Sequence, residues 1–154
     1  SVFLDFIPLK SPRRVLLTTS FEAKGKQSII ADRKENLEFT YDNIDFEILT
    51  DPVESTDEQK MITLRATDKN GRDITFHPVM GAFAHMVAFD NDLNGFAHLH
   101  PITDSIPNSE NLTHCVPLTF GFTAPKEGIY RLWAQVKTSS TQEVFIPFDL
   151  EFGS

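Results

Sequence analysis

Three of the chain's five histidines fall within residues 80–101, MGAFAHMVAFDNDLNGFAHLHP, and two of them form His98-x-His100 followed by Pro101. Imidazole is the side chain that proteins most often use to hold a metal. Two histidines at i and i+2 of an extended strand project from the same face. The segment can therefore grip a soft or borderline metal, or donate hydrogen bonds within a structural core. His98 and His100 do not usually chelate one ion unaided. Neighbouring strands lie about 4.8 Å apart, so a third histidine across the ladder can complete the set. A turn expected between Asp90 and Gly95 would return the chain and could bring His85 opposite the pair.

Two arrangements of these rings stay open. Phe83, His85, Val87 and Phe89 share one strand face, and Phe96, His98 and His100 share another. If these faces point into the core, the histidines are neutral and bonded to backbone carbonyls. If Ala97 and Leu99 point inward instead, His98 and His100 are exposed and available.

Other chemistry-bearing residues read more plainly. His77 precedes Pro78, which pushes it toward extended geometry, and it reads as a strand end. His114 and Cys115 are adjacent and so lie on opposite strand faces, which makes them poor partners for one metal. Cys115 is the single cysteine, so no intramolecular disulfide and no CxxC motif exists. It reads as a small buried hydrophobe. The aspartates at 90 and 92 lack the glycine and terminal glutamate of a calcium loop, and a solvated turn is expected there. Asn111-Leu112-Thr113 is a glycosylation sequon only in a host that glycosylates exported proteins. With no Gly-x-Ser-x-Gly elbow, phosphate-cradling glycine loop or His-Glu-x-x-His, the expectation is a protein that is not an enzyme.

The elements that must position the histidines are strands. Period-two sets recur at Val15, Leu17, Thr19, Phe21; Leu37, Phe39, Tyr41; Ile44, Phe46, Ile48; Ile62, Leu64, Ala66; and Leu118, Phe120, Phe122. Val144, Ile146, Phe148, Leu150 and Phe152 form the clearest run, with Pro147 on its opposite face as suits an edge strand or bulge. Asn70-Gly71 predicts a type I′ hairpin turn, with Ile74 and Phe76 opening the returning strand. Gly128-x-Tyr130-x-Leu132 has the spacing of the tyrosine corner of immunoglobulin-like sandwiches, which would place Tyr130, Leu132, Ala134 and Val136 on the core.

The totals bound the rest. A chain of 154 residues, 40% of them hydrophobic, can close one well-buried core. Its net charge of −8 argues against nucleic acid and anionic membrane surfaces, both polyanions, as partners. No apolar run approaches the roughly 20 residues of a membrane span. The chain begins at Ser1 with no signal-like stretch, and the expectation is that a leader or upstream region has been removed, which favours export.

The string from ITLRATDKNGRDITFHPVMGAFAHMVAFDNDLNGFAHLHP through LTFGFTAPKEGIYRLWAQVK to IPFDLEF resembles a group of bacterial exported modules, the YtkA-like domains with an Ig-like or cupredoxin-like β-sandwich. The shared pattern is Met80-Gly81, His85, Asp90 to Asp92, His98-x-His100-Pro101 and Pro125 to Tyr130. The resemblance covers roughly residues 44–152. It implies a periplasmic or cell-envelope location, often in a lipoprotein, and association with copper or other heavy-metal handling.

The expected fold is thus an all-β, antiparallel Ig-like or cupredoxin-like sandwich over residues 44–154. Residues 1–43 are either an extra hairpin or the tail of a truncated preceding repeat, since KSPRRVLLTTSFEAKGKQSIIADRKENLEF faintly parallels the last two strands. The expected metal ligands are His85, His98 and His100, with Met80 as a soft fourth. Imidazole suits copper and zinc, and a thioether shifts preference toward Cu(I). The competing function is a structural or interaction spacer of a larger envelope protein, with another envelope protein as partner and histidines that only rigidify the fold.

Overall fold

Alternation becomes strand wherever a hydrophobic face has a partner to bury against. The computed structural model describes residues 2–6, 15–19, 33–52, 58–92, 95–102, 117–139 and 142–153. Two compact units are present, Ser1–Asp32 and Arg33–Ser154. In the first, β1 (Val2–Phe6) pairs antiparallel with β2 (Val15–Thr19).

The second unit is a sandwich of two four-stranded antiparallel sheets. Its strands in chain order are β3 (Glu38–Tyr41), β4 (Ile44–Thr50), β5 (Lys60–Asp68), β6 (Ala84–Asp90), β7 (Phe96–Leu99), β8 (Leu118–Phe122), β9 (Gly128–Lys137) and β10 (Glu143–Phe152). One sheet runs β3-β4-β5-β8 and the other β10-β9-β6-β7. The predicted inward sets on β5, β8, β9 and β10 are all buried, as are Phe46 and Ile48 of β4. Each buried Val, Leu, Ile or Phe among them contributes about 1.5–3 kcal/mol by leaving water. That burial fixes register, because a slip of one residue would turn every one of them outward. Pro147 lies on β10, an edge strand, as its missing N–H requires.

The chain passes between the sheets at three places that matter for the site. After β5, Ile74 N–H still donates to Ala66 in the first sheet, and His77 N–H already donates to Lys137 in the second. Ile74 and Phe76 are therefore a crossing rather than a returning strand. After β7, Pro101 is buried and Ile102 N–H donates to Thr119 of β8. Between β8 and β9 the Tyr130 hydroxyl donates to the Lys126 carbonyl at 3.1 Å, which is the expected tyrosine corner. Burial pushes the Tyr130 phenol above its ordinary pKa.

Several expectations are corrected. The sandwich starts before residue 44: Asp42 and Asn43, both at positive φ, form the tight turn that pairs β3 with β4. Phe39 and Tyr41 share the inner face with their partners Phe46 and Ile44, yet are 36% and 44% exposed at the open sheet edge. The Asn70-Gly71 turn is not type I′, because among its central residues positive φ belongs to Gly71 alone. Gly71 N–H donates to Asp68 O and Asp68 N–H to Arg72 O, giving a three-residue loop closed by a left-handed glycine. The Asp68 carboxylate accepts from the Asn70 and Arg72 amides and the Arg72 guanidinium. The guanidinium above all holds its pKa far below the usual carboxylate range. Phe21, His114, Cys115 and the sequon at 111–113 lie outside the described residues.

Candidate metal centre

β6 is a central strand, buried along its core face and, on the other face, at His85. Ala84, Met86 and Ala88 point into the core, so His85, Val87 and Phe89 point outward. His85 is nevertheless only 4% exposed. Its cover begins with the Val79–Ala82 turn, whose end residues exchange backbone hydrogen bonds of 2.8 and 3.1 Å. The two residues between them, Met80 and Gly81, have φ of 47° and 84°, a left-handed pair that glycine accepts freely and methionine does not. This turn delivers the Val79 carbonyl to 3.0 Å from His85 Nε2.

β7 returns antiparallel beside β6, with Val87 opposite His98 and Met86 opposite Leu99. Ala97 and Leu99 pack toward the core, which settles the open question of facing: His98 and His100 share the outer face with His85. Extending the register by one residue puts His100 opposite His85. His98 Nε2 lies 3.1 Å from His85 Nδ1. The His100 ring stacks on His98 at 4.8 Å and meets His85 edge-on at 4.7 Å. One nitrogen from each ring can be chosen so that all lie within 4.8 Å of one another.

The hydrogen bonds fix the tautomers. A carbonyl only accepts, so neutral His85 carries its proton on Nε2 and presents a lone pair at Nδ1. His98 Nε2–H then donates to that lone pair. A zinc or copper ion held at about 2.05 Å by two nitrogens at a tetrahedral angle separates them by about 3.3 Å. The His85–His98 gap already has that size. The widest separation among the three must close by about 1.5 Å at most to reach the same geometry. Backbone-carbonyl anchoring of the non-ligating N–H is the usual outer support of a ligating histidine. The donor set therefore fits a borderline metal.

Of the residues singled out from sequence, His85, His98 and His100 are brought together. Met80 is 70% exposed on the turn that touches His85 from behind. His77 is half-buried and does not join the group. Val79 is a supporting residue that sequence reasoning missed; Gly81, as a turn glycine, was the available signal. The aspartate turn is not merely solvated. The Asp90 side chain is 6% exposed and pairs with Lys126 Nζ at 3.0 Å, while exposed Asp92 meets the same ammonium at 3.1 Å. Hydrogen bonds that Lys126 donates to Asp90 and then to Asp92 raise its pKa. That contact ties the end of β6 to the tyrosine corner.

Fold and site together define a small antiparallel β-sandwich with a histidine triad on the outer face of one sheet. The chain belongs to the family described as "Domain of unknown function (DUF8832)", which matches residues 39–153. No curated protein matches it. Among solved structures, a DUF4426 family protein from Pseudomonas aeruginosa PAO1 is similar at 10% identity and a TM-score of 0.48, over 75% of this chain and 94% of that one. Among the described residues no helix is long and apolar enough to cross a membrane.

Proposed function

We propose that the sandwich is a non-catalytic metal-binding module, and that its ion is copper, exported with the protein to the bacterial periplasm or cell envelope. The observation that carries the reading is the 3.1 Å approach of His85 Nδ1 to His98 Nε2, with His85 oriented by the Val79 carbonyl and His100 beside both. Met80 is the proposed fourth, soft donor for Cu(I), reached by turning its exposed thioether inward. Copper, export and the YtkA-like relationship rest on the sequence pattern around Met80-Gly81 and His98-x-His100-Pro101. When bound, the ion would be held by His85 through Nδ1 and, once the His98 proton has moved from Nε2 to Nδ1, by His98 through Nε2.

A second reading has its own support. His85 is bonded at both ring nitrogens, which is also what a purely structural histidine would show. In that case the module is a spacer or interaction domain of a larger envelope protein. Titration with Cu(I), Cu(II) and Zn(II), repeated on a His98→Ala, His100→Ala double variant, separates the two. One equivalent taken up by the wild type and lost in the variant supports metal binding. Equal uptake by both, or none by the wild type, removes it.

A further inference from the structure

Resting on the metal-binding reading above, we infer that His100 is the ligand through which the ion is exchanged, and that the ion is cargo passed to a second molecule offering nitrogen or sulfur donors. The three rings are held with graded restraint. His85 stands on β6, paired on both sides by β7 and β9, and its ring is bonded at each nitrogen. His98 stands on β7, opposite Val87, and is half-buried. His100 lies one residue beyond the last ladder pair of β7 and is exposed.

An incoming donor needs a line of approach to the ion. The sheet and the Val79–Ala82 turn close the side of His85, so the approach is from the side of His100. Beside the three nitrogens the fourth position is open when the ion is Zn(II), which does not favour a thioether; when it is Cu(I), the exposed Met80 thioether is the ligand that the incoming donor displaces there. The donor binds there, the bond from the ion to His100 breaks, and His100 leaves as neutral imidazole. The bond to His98 follows, and His85, the most restrained, lets go last. The ion keeps its charge throughout, and no oxidant or reductant takes part.

The test is transfer of Zn(II) from the loaded protein to the chromogenic chelator 4-(2-pyridylazo)resorcinol, followed by stopped-flow absorbance. The transfer rate is expected to rise in proportion to chelator concentration. His100→Ala, a change at an exposed position, should transfer about tenfold faster or more, the scale on which even outer-shell changes move metal affinity. His85→Ala should lose more equilibrium affinity than His100→Ala. A rate independent of chelator concentration, or one unchanged by His100→Ala, overturns exchange through His100 while leaving metal binding intact. A wild type that takes up no Zn(II) or copper overturns both.

Discussion

Replacing Tyr130 by phenylalanine removes one hydroxyl and leaves the ring. The ring sits edge-on against Phe122 and Phe152, with centroids 5.4 and 5.3 Å away, and that packing survives the change. What is lost is the 3.1 Å bond to the Lys126 carbonyl, made by a side chain only 2% exposed. A net hydrogen bond contributes about 1 kcal/mol, and the carbonyl left without its donor takes the cost to about 1.5 kcal/mol. For a unit of this size that lowers the melting temperature by about 4–6 °C. The assay is urea unfolding followed by the fluorescence of Trp133, the single tryptophan, on the same strand as Tyr130. The midpoint should fall with the slope unchanged. Metal uptake should not change, because the corner touches none of the three histidines. A midpoint equal to wild type would refute the corner as a stabilising device.

Lys126→Met should destabilise the sandwich, because it removes the ammonium paired with the buried Asp90 carboxylate, and Asp90→Asn should partly restore the loss; unfolding midpoints of the single and double variants check this. Asp68→Asn should be less stable than wild type at neutral pH. Because Arg72 depresses the folded-state pKa of Asp68, the wild-type advantage is present above about pH 4 and fades as the pH falls further, so unfolding curves of the two proteins should converge in acid. Met80→Asn should stabilise by about 0.5–1 kcal/mol, since asparagine tolerates the left-handed φ of 47° better than methionine. If Met80 is the soft donor, the same variant weakens Cu(I) binding and leaves Zn(II) binding unchanged; equal loss for both ions would argue against that role.

The sandwich was legible because its inward residues are large and period two is unambiguous in Ile62-Leu64-Ala66 or Val144 to Phe152. Tyr130 was legible because its spacing from Gly128 and Leu132 encodes a local contact. The histidine triad was half legible. His98-x-His100 fixes a shared face at once, but facing depends on which side of β7 meets the core, and Phe-and-His alternation argued as well for one side as for the other. The small inward residues Ala84, Ala88 and Ala97 carry too little hydrophobic weight to decide it. The edge strand β3 was left out of the sandwich because Asp42-Asn43 lacks the glycine that usually marks a tight hairpin turn, although both residues take the positive φ that such a turn needs. The role of Asp90 depends on Lys126, distant in sequence, and no local pattern announces that pairing. The loop at Asn70-Gly71 was located correctly and its geometry missed, because the Asp68 side chain selects the three-residue form.

The most direct measurement is a crystal structure of the protein loaded with Zn(II) or copper, with the ion located by anomalous scattering. One ion bonded at about 2.0–2.1 Å to His85 Nδ1, His98 Nε2 and a nitrogen of His100, with His85 Nε2 still on the Val79 carbonyl, is the expected result. An ion at the Asp90–Asp92 turn or elsewhere, with the His85–His98 hydrogen bond intact and His100 still packed against both rings, would contradict the account.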